Sequence, residues 1–404
     1  PASLVELIVI MNNNVYFTTI FALTAMLLQT KVLSAQETIY GTNNYIEYQV
    51  GNLPIVLSVP HGGRLAPSTI PDRTCNNAET VTDINTIELA KSISNALYEL
   101  TGCYPSIVIC NLRRSKIDCN RNIEDGACGN EEAITAWKEF NSFIEQAQTK
   151  AQENFKGNIF FVDLHGHAHA IPRIELGYLL YGSELRLPDD TLNKTKYINY
   201  SSIKDLAKKN QNNLSHAELL RGELSLGTLL GEMDYPTVPS QQIPYPEIGE
   251  GYFNGGYNVA NHTSYLSGNK VNGVQMECYY AGIRDTEANR NKFGVAFAEI
   301  LIEYLSIHRN VDVSNCNTLS KKEIAQEPIN IYPNPVKRAE RNLFISGIEN
   351  LQSSYFLYTV AGKIIEFGEI DNNLIHFKNE LNEHLYTLSI QNPNASTSFK
   401  LIVE

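Results

Sequence analysis

The chain has 404 residues, with 44 Asp and Glu against 32 Lys and Arg, for a formal net charge of −12. A surface that grips nucleic-acid phosphates needs a basic excess, so this balance excludes a nucleic-acid binder. Hydrophobic residues make up 43% and charged residues 19%, which sets the chain among globular rather than disordered sequences and makes it long enough for two or three domains.

Residues 1–10 precede the first methionine, Met11, and are set aside as upstream or appended sequence. Residues 11–35 have the pattern of a secretory signal peptide. The apolar run Val15–Leu28 is followed by Lys31-Val-Leu-Ser-Ala35, whose small residues suit a cleavage site. No apolar run reaches the roughly 18 uncharged residues of a membrane span, so none is expected in the mature chain. Export permits disulfides. Seven cysteines leave at least one unpaired, and Cys119 and Cys128 are near enough in sequence to close a short loop.

From residue 36 to 310, apolar strand-like runs alternate with helix-like segments. Leu53–Val59 reads as a buried strand ending in Pro60-His-Gly-Gly63, where the glycines permit a sharp turn. Ile84, Ile87, Ala90, Ile93 and Leu97 recur at helical spacing, with Asp83 at a cap position. Ser106–Leu112 is a second strand, and a helix is expected over about Glu131–Phe155. Asn158–Leu164 is a third strand, and Lys204–Leu230 reads as mostly helical, broken near Gly222 and Gly227. Val271–Tyr280 is a fourth strand, before a long helix over Glu287–His308. This alternation predicts an α/β domain with a mainly parallel or mixed sheet flanked by helices.

Residues 311–328 read as a polar linker. Residues 329–404 change character to short strand-like runs separated by turn signals, which predicts a small all-β sandwich. Three segments carry a resemblance here: Ile331-Tyr-Pro-Asn-Pro335, Thr359-Val-Ala-Gly-Lys363 and Phe399-Lys-Leu-Ile-Val403. With them the tail resembles the type IX secretion C-terminal sorting domain. That likeness implies the type IX machinery as a partner and a secreted or cell-surface location.

Chemistry in the first domain follows the strands. Val59-Pro-His61 ends the first apolar run, Asn111-Leu-Arg-Arg114 the second and Asp163-Leu-His165 the third, and Gln275-Met-Glu277 lies in the fourth. Ligands of open α/β sheets sit beyond the carboxyl ends of the strands, so parallel neighbours would bring these groups to one edge. Catalytic zinc takes three protein ligands, usually imidazoles and a carboxylate, and keeps one position open. His61 and His165 are the expected imidazole ligands, and Asp83 the chosen third, with Glu88 and Asp72 as alternatives. Asp163 shares a strand face with His165 and is placed to orient its imidazole. In His165-Gly-His-Ala-His169 the outer histidines are further ligands, proton carriers or merely solvated, and His167 is taken as auxiliary. One zinc per chain is the expected cofactor.

Arg113, Arg114 and Arg121 cluster in an otherwise acidic protein, which suits an anionic small-molecule or peptide substrate; pairing of Asp118 with Arg121 is the structural alternative. Glu277 shares a face with Gln275 and is the expected general base, unless it forms a buried salt bridge to Arg284 or Arg173. His262, in a long Tyr-, Gly- and Pro-rich loop, is a weaker auxiliary candidate.

Five segments together resemble the N-formylglutamate amidohydrolase family, related to carboxypeptidase-like zinc hydrolases. They are Ser58-Val-Pro-His-Gly-Gly-Arg64, Asp83-Ile-Asn-Thr-Ile-Glu-Leu-Ala90, Asn111–Arg121, Asp163-Leu-His-Gly-His167 and Gln275-Met-Glu277. The resemblance implies a zinc-dependent amidohydrolase with His61 and His165 as ligands, Glu277 as catalytic carboxylate and Arg121 as substrate anchor. The carboxypeptidase pattern has an acidic residue three positions after the first histidine; here that residue is Arg64. A metallocarboxypeptidase-like peptidase and a non-catalytic surface binding protein are the competing functional readings.

Overall fold

The computed structural model describes residues 36–75, 78–313, 330–346, 353–359, 364–382, 385–392 and 395–404. The expected signal peptide and most of the expected linker lie outside these residues. The chain divides into two compact units, Pro1–Asn317 and Thr318–Glu404.

The first unit is an α/β domain around an eight-stranded mixed sheet. Its strands are β1 (Thr38–Tyr40), β2 (Ile46–Gln49), β3 (Ile55–Val59), β4 (Ser106–Cys110), β5 (Phe160–Gly166), β6 (Ile174–Gly177), β7 (Thr237–Val238) and β8 (Asn272–Cys278), in the spatial order β1-β2-β4-β3-β5-β8-β6-β7. The central four, β4, β3, β5 and β8, are mutually parallel neighbours. β2 and β6 join them antiparallel on either side. The four chemistry-bearing runs are therefore adjacent and co-directional, as their apolar character suggested.

Alternation along these strands builds two cores. Ile55, Leu57 and Val59, with Val162, Leu164, Val274 and Met276, pack on one face with the helices Thr86–Thr101 and Glu287–Arg309. Val56, Val108 and Phe161 pack on the other with the helix Glu131–Phe155. On this second face the strands turn polar toward their carboxyl ends: Val56 gives way to Ser58, Phe161 to Asp163 and His165, and Gly273 to Gln275 and Glu277. A polar patch thus follows an apolar floor on one surface of the sheet.

Three expectations need correction. The first helix is preceded by Asn85 in a left-handed conformation; Asp83 is not its cap, and Ile84 lies outside the helix and is exposed. Segment 204–230 breaks at Gly222 as expected, but it also breaks between Lys208 and His216, where Ser215 caps the next helix, and Gly227 lies inside the helix Leu226–Glu232, which Ser225 caps. Cys128 pairs with Cys75 across 53 residues rather than with Cys119, which is buried with a free thiol.

The second unit holds two antiparallel sheets. One sheet has Leu374–His376, Asn342–Ser346 and Asn330–Tyr332 in that order; the other has Ile364–Ile370, Ser353–Thr359, Leu385–Asn392 and Ala395–Ile402. Their inward residues, including Leu343, Ile345, Leu357, Ile375, Leu388 and Leu401, share one core. Among the described residues, no helix is long and apolar enough to cross a membrane.

Candidate metal centre

His61 leaves β3 at its carboxyl end, and the backbone then runs through Gly62 and Gly63. Neither glycine serves a left-handed turn. A Cβ on Gly63 would stand 2.3 Å from backbone atoms of Asn111 and Leu112, and one on Gly62 would meet Thr86 Oγ1 at 2.5 Å. At Gly63 close packing of backbone on backbone excludes a side chain, and at Gly62 the side chains of Thr86 and Ile87 already fill the space. Asp83 is anchored by its own N–H to the carbonyl of His61 at 3.0 Å, and its Oδ2 accepts the Gly166 N–H at 3.1 Å. His165 sits near the end of β5.

These three residues converge. The Nδ1 atoms of His61 and His165 are 3.1 Å apart, and Asp83 Oδ2 lies 3.6 Å from the first and 3.3 Å from the second. All three side chains are buried. Tetrahedral ligands at bond lengths of about 2.0–2.1 Å stand about 3.3 Å from one another, so this spacing suits one small cation. His61, Asp83 and His165 form a buried group that can hold a metal ion.

The opposite ring edges are fixed by carboxylates. His61 Nε2 is 2.6 Å from Asp118 Oδ1, and His165 Nε2 is 2.8 Å from Asp163 Oδ2. Burial raises the Asp118 carboxyl, but His61, Arg114 and Arg73 outweigh it and hold the group far below the usual carboxylate range. An ionised carboxylate only accepts, so the imidazoles donate from Nε2 and direct Nδ1 lone pairs at each other and at Asp83. Without a cation, such a junction demands an extra proton. Burial disfavours charge on His165, yet Asp163, Asp83 and Glu277 raise its pKa well above the ordinary value. A site that attracts positive charge so strongly fits a divalent ion.

Glu277 is directly paired with His165 across β5 and β8, with Oε1 4.0 Å from His165 Nδ1. Gln275 donates to the same oxygen at 2.9 Å. Burial is the main cause that pushes the Glu277 pKa up to about 8; His165 opposes it, and Asp83 and Glu175 add to it. The salt-bridge alternative does not hold. Arg284 spends its guanidinium on the carbonyls of Cys278, Ile84 and His167, and Arg173 pairs with Glu250 at 2.7 Å.

The arginines separate. Arg114 places Nε 3.2 Å from Asp118 and Nη1 3.7 Å from Asp83, and Arg121 places Nε 3.4 Å from Asp118. Both remain partly exposed beside the ligand group. Arg113 is exposed, its charge felt by Asp72 on the outside of the loop. The alternative third ligands are not part of this group: Asp72 is paired with Lys116 and Glu88 with Arg64. His167 donates Nε2–H to the carbonyl of Arg173 at 2.8 Å. His262 is a core histidine, 2.8 Å from Asn141 and packed on Phe161, and burial depresses its pKa to about 4.

Sequence reasoning missed five supports. Asp118 was seen only as a partner of Arg121, although a lone acid among four basic residues signals a shared counter-ion. Buried Arg73 approaches Asp118 at 3.5 Å. Ser58 donates to Asp163 at 2.6 Å from the directly paired strand position. Asn258 Nδ2 donates to Asp163 at 3.1 Å, and its own N–H reaches Asn120, whose amide donates to Gln275.

No family model matches the chain, and no curated protein matches it. Among solved structures, a search returns PorZ, described as an essential bacterial surface component of the type-IX secretion system of human oral-microbiomic Porphyromonas gingivalis, at 15% identity and TM-score 0.18. That match covers 21% of this chain and only 12% of the PorZ chain. An engineered protein aligns at 10% identity and TM-score 0.16 over 87% of this chain and 93% of its own. Likeness this low carries no argument about fold or function.

Proposed function

We propose that the first unit is a zinc-dependent amidohydrolase of the N-formylglutamate amidohydrolase type, cleaving an amide bond in a carboxylate-bearing substrate. The observation that carries this reading is the meeting of three ligand atoms, His61 Nδ1, His165 Nδ1 and Asp83 Oδ2, within 3.1–3.6 Å of one another. Two imidazoles and one carboxylate are a donor set that suits zinc. When bound, such an ion polarises a carbonyl and acidifies a coordinated water.

The chain's own residues supply the rest. Glu277, buried and 4.0 Å from His165 Nδ1, takes a proton from the attacking water, and Gln275 fixes the oxygen that receives it. Arg114 and Arg121, both anchored through Nε on Asp118, grip a substrate carboxylate. Asp118 and Asp163 hold the imidazoles in register. The second unit, an antiparallel two-sheet body opening on Tyr-Pro-Asn-Pro, is read as a type IX sorting domain, so the enzyme works outside the cell. Peptides, poly-γ-glutamate and cell-wall amides are the substrates that location favours.

The test is metal analysis with turnover. Purified protein should hold about one tightly bound zinc per chain and hydrolyse N-acyl-L-glutamates or γ-glutamyl peptides, with activity lost to a chelator and restored by zinc. Glu277→Gln should keep the zinc and lose turnover. A wild-type protein without zinc, or a Glu277→Gln variant at full rate, rejects the reading. Deleting residues 329–404 should leave the protein inside a type IX-competent cell.

A further inference from the structure

Of the three histidines at and just beyond the end of β5, His167 and His169 gather around Glu175 rather than around the first ligand group. His167 has both ring nitrogens engaged, Nε2 with the Arg173 carbonyl and Nδ1 with the N–H of His169 at 3.1 Å. No lone pair remains there for a second metal. What is left is a pair: His169 Nδ1 stands 2.7 Å from Glu175 Oε1. Glu175 is 1% exposed, and its other oxygen accepts the Phe253 N–H at 2.8 Å. Phe253 stacks on the imidazole at 4.6 Å, and a Cβ on Gly251 would stand 2.7 Å from the ring. With Nδ1 turned inward and the ring faces covered, the Nε2 edge is what this partly exposed side chain offers to a ligand.

Register places the pair beside the chemistry. Glu175 is directly opposite Glu277, and Glu277 directly opposite His165. Directly paired residues project to one face about 4.8 Å apart, so His165, Glu277 and Glu175 form a row across three strands. His169 stands at the far end of that row from the ligand group.

We propose that His169, held by Glu175, is the proton donor to the leaving amine; the inference rests on the amidohydrolase reading above. Gln275 restrains Glu277 Oε1, which hinders that carboxyl from carrying its proton to the leaving nitrogen. The division of labour balances. Glu277 takes one proton as the water oxygen bonds to the carbonyl carbon. The C–N bond then breaks with its electron pair on nitrogen, which receives the Nε2 proton of His169. The proton on Glu277 returns through solvent to the imidazole, so one water is consumed and one acid and one amine are released.

The experiment uses the zinc-loaded full chain, the N-acyl-L-glutamate that it cleaves fastest, and the thioester analogue with sulfur in place of the scissile nitrogen. A thiolate leaves without a proton. His169→Gln should lower kcat on the amide about 10²-fold, with KM within about threefold, and leave the thioester rate within about threefold of wild type. Zinc should stay at one per chain in both proteins. In the metal-free protein at alkaline pH, nitrogen-15 NMR should find His169 as the Nδ1–H tautomer, and Glu175→Gln should shift that resonance.

Equal losses on amide and thioester, an unchanged amide rate, an Nε2–H tautomer, or a second zinc that disappears in His169→Gln would each overturn the proposal. Failure of the underlying reading looks different: the wild-type protein itself, loaded with zinc, would cleave no amide, and the role of His169 would fall with it. An active wild type and an inert Glu277→Gln keep that reading whatever His169 does.

Discussion

His61 donates from Nε2 to Asp118 Oδ1 across 2.6 Å, and three guanidinium groups, of Arg73, Arg114 and Arg121, stand within 3.2–3.5 Å of the other oxygen of that carboxylate. One buried acid therefore sets the orientation of a candidate ligand imidazole and pins the cationic side of the site. Asp118→Asn keeps the shape and removes the charge. It should weaken zinc binding about 10–100-fold, as loss of an outer carboxylate does at other metal sites, without unfolding the protein. Competition with a chromophoric chelator reads the affinity; an unchanged constant would remove Asp118 from the metal's support.

Much of this was legible because strands advertise themselves. Buried parallel strands read as apolar runs, and a histidine, aspartate or glutamate breaking such a run near its end must face something that compensates it. His61, Asp163, His165 and Glu277 were found that way. Asp83 was reached through a wrong premise: it caps no helix, and its place depends on a backbone bond to His61 that spacing does not reveal. Asp118, Asn120 and Asn258 stayed hidden because two loop residues and one on the six-residue helix Tyr257–His262, lying 57 to 138 positions from their partners, carry no period. His262 misled because a loop full of aromatics looks like a wall of a site, whereas its ring is core packing.

The Cys75–Cys128 bridge closes a loop that contains both Asp83 and Asp118. Cross-linking a segment of that size stabilises a fold by about 2–4 kcal/mol. Cys75→Ser with Cys128→Ser should lower stability to urea by that order and also weaken zinc binding, because the two carboxylates share the released segment. Equal zinc affinity in the bridged and unbridged proteins would show that the core alone holds the loop.

Gly63 tests why the Pro-His-Gly-Gly turn needs its second glycine. Its backbone does not occupy the left-handed region, so alanine is conformationally allowed, but the new methyl would collide with the backbone of Asn111 and Leu112. Gly63→Ala should cost more than about 2 kcal/mol and displace His61 two residues earlier, lowering zinc content together with stability. Wild-type urea unfolding by this variant would contradict the close approach.

Glu277 predicts a pH dependence with a definite sign. Burial moves its carboxyl from 4.5 up to about 8 in the metal-free protein. Between those values the native state holds a proton that the unfolded chain has released, so the stability present at low pH declines as pH rises and levels off above about 8. The slope from this one group approaches about 1.4 kcal/mol per pH unit at most. Glu277→Gln cannot ionise, so the difference in unfolding free energy between metal-free wild type and variant should grow in the variant's favour across about pH 5 to 8. Zinc should abolish most of that difference, since positive charge at the ligand group favours the carboxylate and pulls its pKa back down. Parallel stability curves for the two metal-free proteins would mean that Glu277 is ionised in the fold and that its burial is compensated by a partner other than the cation.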